Sequence, residues 1–96
     1  MAGFTPIASE LIEALAKVNL SAYESRILWA IIRKTYGWHK DRDVISRSQF
    51  QVSTGLEGRN ISHILSKLVR RNIVARVSSS PRVIAYYIQQ DYTLWR

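Results

Sequence analysis

The stretch 45–71, ISRSQFQVSTGLEGRNISHILSKLVRR, constrains this chain more than any other. Ser46 is followed three residues later by Gln49, the spacing of a capping box that starts a helix. Phe50 and Val52 are the apolar anchors expected for that helix. Gly55 then stands where it must stop, because glycine accepts the left-handed backbone that such a stop needs. A second helix is expected after Leu56, running to about residue 72. Its Ile61, Ile64, Leu65 and Leu68 repeat at i, i+3, i+4 and i+7, which is one buried stripe. At ~100° per residue, Arg59, Ser62, His63, Ser66, Lys67 and Arg70 turn away from that stripe. These are side chains that reach bases and phosphates. The pattern predicts a helix-turn-helix whose second helix is the reading element. Paired amphipathic helices also occur in proteins that bind nothing, so the flanking sequence has to decide.

The charge decides part of it. Fourteen Lys and Arg stand against seven Asp and Glu, a net charge of +7. The excess is one-sided: residues 1–32 are slightly acidic and nearly all of the basic side chains follow residue 32. A one-sided basic surface points to a polyanion, most simply nucleic acid. A basic helix lying on a membrane is the competing idea. It fails because neither basic helix has bulky apolar residues left for lipid once a core is built. No apolar run approaches the ~18 residues of a membrane span, and no signal pattern opens the chain, so a cytoplasmic location is expected. The chain has 96 residues, 47% of them hydrophobic, which suits one folded domain spanning 1–96. It lacks cysteine, and His39 and His63 have no carboxylate spaced to complete a metal site, so neither metal nor cofactor is expected.

Taken in order, residues 1–7 are an irregular arm ahead of the first helix, with Phe4 and Ile7 packing back on the domain. Helix 1 is expected over 8–18, with Leu11, Ile12, Leu15 and Val18 on its buried face. Ser21 and Glu24 make a second capping box, and helix 2 runs to about residue 36 on a stripe of Ile27, Leu28, Ile31 and Ile32. Trp29 lies across from that stripe. Either Phe4 or Trp95 covers it, or it marks an oligomer or partner contact. Gly37 ends the helix, and 43–45 form a short strand before Ser46. After the helix-turn-helix, 73–77 and 83–89 read as strands around a turn at 78–82, and the aromatic tail 91–96 docks on helix 1 or 2. The expected fold is therefore α+β: a winged helix with four helices and a small three-stranded antiparallel sheet. Its hairpin wing would carry Arg76 and Arg82 beside the tip.

Several runs also look familiar. GFTPIASELIEAL, RILWAIIRKTYGWHKDRDVIS, STGL and YYIQQDYTLW resemble the N-terminal DNA-binding domain of the phage replication protein O family. The run IIRKTYGWHKDRDVIS is the most specific of them. The resemblance implies an initiator domain that recognises repeated sites at a phage replication origin, here without the helicase-recruiting region that family members carry beyond it. In the reading helix it extends to Arg59, Asn60, Ser62, Lys67 and Leu68. It departs at Glu57 and Gly58, where a Ser-Arg pair is usual. That departure loses a good cap and one base-reading cation.

The function expected is sequence-preferring binding of double-stranded DNA, without catalysis. Arg59 and Asn60 would read bases, since Arg suits guanine and Asn suits adenine by bidentate geometry. Ser62, His63 and Ser66 would meet bases or phosphates. Lys67, Arg70, Arg76 and Arg82 would hold the backbone, assisted by Arg47 and Lys40. A second copy of the chain on repeated sites is a further candidate partner. The alternative is an interaction module that turns the helix 4 face, or Trp29, towards a phage or host protein. An enzyme finds no support, because the chain has no P-loop and no nucleophile-base spacing.

Overall fold

Two reciprocal caps set the frame of the computed structural model, which describes residues 3–96. Ser21 Oγ accepts the Glu24 N–H while Glu24 Oε1 accepts the Ser21 N–H at 2.8 Å, and helix α2 (Ala22–Lys34) starts there. Ser46 and Gln49 repeat the arrangement at the start of helix α3 (Arg47–Thr54). Each cap satisfies backbone donors that a helix start leaves unpaired. Gly55 ends α3 at φ 73°, and helix α4 (Gly58–Arg70) follows at once. Helix α1 (Ser9–Lys17) has no side-chain cap. Strand β1 (Asp43–Val44) precedes α3, and β2 (Val74–Ser80) and β3 (Val83–Ile88) form the hairpin after α4.

The sheet order is β1-β3-β2, with both pairings antiparallel. Asp43 faces Tyr86 and Val44 faces Ala85, so β1 closes onto the returning strand of the wing. This is the α+β architecture expected, with four helices, three strands and the hairpin directly behind the helix-turn-helix. Ile27, Leu28 and Ile31 from α2 meet Phe50 from α3, Ile61 and Leu68 from α4, and Ile73 and Ile88 from the hairpin in one core. The Phe50 and Tyr86 rings meet edge to face, with centroids 5.5 Å apart, which fixes α3 against the wing.

Several expectations need correcting. Val52 is not an anchor: it is 88% exposed, because only Phe50 and Thr54 of so short a helix turn inward. Ile12 is half exposed, since α1 presents only Leu11 fully to the core. Helix α2 stops at Lys34 rather than near residue 36. The buried Thr35 hydroxyl bonds the Ile31 carbonyl at 2.7 Å, and the chain tightens into a 3-10 turn over Tyr36–Trp38. Helix α4 likewise stops at Arg70, because Asn72 takes a left-handed backbone at φ 58°. The first wing strand extends further towards the tip than expected, to Ser80, while the second starts at Val83 as expected, leaving a two-residue turn at Pro81 and Arg82 beyond a bulge between Ser78 and Ser80.

The two ends of the chain behave differently. Met1 and Ala2 of the expected arm lie outside the described residues. Ile7 packs against the core as expected, but Phe4 is 74% exposed, its ring meeting the His39 ring edge to face. The tail docks: Trp95 packs on the core, donates its indole N–H to the Gln89 carbonyl at 2.9 Å, and shares a cleft with α1. Neither Phe4 nor Trp95 covers Trp29, which stays 53% exposed.

Candidate nucleic-acid interface

The exposed face of α4 is set by what the helix buries. Ile61, Ile64, Leu65 and Leu68 face the core, so Arg59, His63 and Arg70 stand exposed on the opposite crest. Beside that crest, α4, the start of α3 and the wing enclose a cleft of about 530 Å³. Arg47 enters it from α3, Ser62 and Ser66 from α4, and Arg76 and Arg82 from the wing. Five of the residues singled out in the sequence therefore converge on one cleft. Its floor is Ile45, Phe50, Ile61 and Leu65, and no carboxylate lines it. A cleft walled by arginines and floored by hydrocarbon favours an anion, since low-dielectric walls weaken the screening of the charge.

Gly58 has a specific part in this packing. A Cβ there would fall 2.9 Å from Arg47 Cδ and 3.4 Å from Gln51 Nε2. The missing side chain thus lets the first turn of α3 lie across the first turn of α4, which holds Arg47 at the mouth of the cleft. The residue before it, Glu57, occupies the cap position in the right extended conformation, but its side chain makes no cap hydrogen bond. The first turn of α4 consequently keeps free N–H groups, the part of a helix that favours an anion.

The other proposed contacts are distributed differently. Lys67 stands on the flank of α4 away from the wing, lining a smaller cavity with Ser21, Glu24 and Arg71. Asn60 is half-buried on that same flank by its position on the helix. Lys40 pairs with Asp43 at 3.5 Å, ahead of β1. On the wing, Ser78 donates its hydroxyl to the Ser80 carbonyl at 2.6 Å, which stiffens the bulge beside Arg82.

One arrangement had no sequence signal. Arg71, at the end of α4, bonds buried Glu24 at 2.9 Å and also donates to the carbonyls of Asn19 and Arg96, the latter at 2.6 Å. Burial works against the charged form of the Glu24 carboxyl. The Ser21 N–H and the Arg71 guanidinium together outweigh it and hold the group below its usual range. Arg71 is thereby spent inside the protein, fixing the far end of α4. A second missed contact is Arg42, whose guanidinium lies 5.0 Å from the Tyr87 ring. In both cases the partner is remote in sequence.

Comparison with known proteins places the chain in a family. The family model described as bacteriophage replication protein O matches residues 1–93. Replication protein O of Escherichia phage lambda is 36% identical over 72 residues, covering 75% of this chain and 22% of the relative. DNA replication protein gp18 of Salmonella phage P22 is 33% identical over 75 residues, covering 78% and 28%. Replication protein 15 of Enterobacteria phage phi80 is 32% identical over 72 residues, covering 75% and 24%. The match thus spans about a quarter of the length of these relatives. No solved structure matches the chain significantly. No helix among the described residues is long and apolar enough to cross a membrane. On the match to residues 1–93, this chain belongs to the bacteriophage replication protein O family.

Proposed function

We propose that this domain binds double-stranded DNA with a sequence preference, at a phage-type replication origin, and performs no chemistry of its own. The observation that carries the reading is the carboxylate-free cleft, where Arg47, Arg76 and Arg82 converge beside the crest of α4. Membership of a replication protein family supports the setting, and a relative is itself named a DNA replication protein. Helix α4 enters the major groove, with Arg59 and Asn60 near its start meeting base edges. Arg47, Arg70, Arg76 and Arg82 hold phosphates around it. Ser62, His63 and Ser66 serve bases or phosphates, according to how deeply the helix sits. Lys67 contributes less than its charge suggests, because Glu24 stands near it.

A titration with duplex DNA at several salt concentrations tests this. Neutralising about five phosphates gives a slope of log K against log salt between about −4 and −5. Binding that persists with a slope near zero would show that the basic face is not the contact. A second reading takes its support from Glu57 and Gly58, which stand where winged-helix readers of this type usually have a Ser-Arg pair. On that reading the face serves a protein partner, and duplex DNA fails to bind even at low salt.

A further inference from the structure

On the outer face of α2, away from the cleft described above, lies a groove of about 680 Å³. Arg26, Trp29, Arg33 and Lys34 line it from α2, Trp38 from the 3-10 turn, and Ser53 from the end of α3. Trp29 and Trp38 are 53% and 63% exposed, a large indole surface to leave in water. The Arg33 guanidinium sits 5.4 Å from the Trp38 ring centroid. Gly37 leaves it that position, because a Cβ there would come within 2.7 Å of Arg33 Nη1. A cation over one face of Trp38 fixes the ring and leaves its remaining surface open. No carboxylate lines this groove, and its only aliphatic side chain is Ala30.

We propose that this groove binds single-stranded DNA, its two indole rings stacking on bases and its three cations tracking the phosphates. Every base has a π-face, so stacking on exposed aromatic rings between cations is how single strands are held without base readout. An acidic peptide would satisfy the same charges. It would find little in which to seat the aliphatic side chains that anchor peptides in grooves, and this composition therefore favours bases. Double-helical DNA hides its base faces in the stack and cannot use the rings. The two sites share no residue: Arg47 lines the duplex cleft at the start of α3 and Thr54 lines this groove at its end, roughly 10 Å away at 1.5 Å per residue. A duplex with a frayed end would thus reach both. The inference does not depend on the duplex reading.

The test titrates the purified chain with a twelve-residue oligo(dT), a blunt duplex and a Glu-rich peptide, following tryptophan emission and, separately, the anisotropy of a labelled ligand. Oligo(dT) is expected to bind and quench the emission. Trp29→Ala and Trp38→Ala should each weaken that binding by between about 5-fold and 100-fold while leaving duplex affinity unchanged. Arg82→Ala should do the reverse, so failure of the duplex reading and of this one are told apart. Trp29→Phe and Trp38→Phe keep a ring and should retain most of the binding, even if an alanine variant folds poorly. The proposal falls if oligo(dT) does not bind. It falls equally if its affinity survives in folded Trp29→Ala and Trp38→Ala variants, drops with Arg82→Ala in step with the duplex, or is exceeded by that of the peptide.

Discussion

Replacing Arg71 by Met removes the cation that holds Glu24 while keeping most of the side chain's length and apolar stem. The Glu24 side chain is 2% exposed and that of Arg71 21%, so the pair is screened little by solvent. Removing one partner of such a pair leaves a buried charge and costs about 3 kcal/mol; the Ser21 N–H still reaches Glu24, which keeps the figure at the low end. For a domain of this size that corresponds to a fall in Tm of about 12–24 °C. The penalty should also depend on pH. In the parent, Glu24 titrates below its ordinary value of 4.5, so its contribution is complete above that value and is lost as pH falls through the lower folded one. In Arg71→Met burial acts without the guanidinium, and the group titrates higher than in the parent. Protonation then relieves the variant first, and the gap in stability should narrow as pH is lowered from 7 towards 4. Denaturant unfolding of both forms across that range is the assay. Adding Glu24→Gln to Arg71→Met should recover part of the loss at pH 7. A loss under about 1 kcal/mol, or one that does not change with pH, would refute the assignment of Glu24 as a charge that depends on Arg71.

Three further outcomes concern the proposed DNA face. Arg59→Ala and Asn60→Ala should each cost about 1–3 kcal/mol of binding and relax preference at one or two base positions, whereas Arg70→Ala should weaken all sequences alike; binding to a randomised duplex pool separates the two patterns. Arg82→Ala should reduce duplex affinity while moving Tm by less than about 2 °C, because the wing turn is exposed; a melt and a titration on one sample check both. Glu57→Ser should raise stability by roughly 0.5–1 kcal/mol, since the cap position already has the extended backbone that Ser needs, less the favourable dipole term lost with the carboxylate. Gly58→Arg should displace Arg47, and the two changes measured singly in melts and titrations show whether the added cation outweighs the one disturbed.

Features that depend on a few neighbouring residues were legible in the sequence. The caps at Ser21 and Ser46, the stop at Gly55 and the stripe of α4 involve partners three to seven residues apart, and each is present. What failed depended on distant packing. Periodicity gave α1 an apolar face, but nothing local says how much of it the other helices cover, and Ile12 is left half exposed. Phe4 and Trp29 are apolar side chains left 74% and 53% exposed. The Arg71–Glu24 contact joins residues 47 positions apart, and no motif encodes it. On the proposed face, an outward direction was readable for Arg59 and Arg70. That Arg47 would share a cleft with Arg82, while Lys67 turned to the opposite flank, depends on how the wing folds back.

The pairing of β1 with β3 bears on how the wing can move. Strand β3 is held on one side by β2 and on the other by Asp43 and Val44, and the Ile45 N–H continues the ladder to the Ile84 carbonyl. Ser46 and α3 follow immediately, and the Phe50 and Tyr86 rings make a second tie. A wing anchored in this way does not hinge as a free flap, and any displacement is shared with α3 and therefore with Arg47. Its arginines are organised before a ligand arrives, so little backbone freedom remains to be lost on association. Loosening β1 would change none of the proposed contact residues and would still be expected to weaken the proposed binding, by freeing the wing and α3 to move.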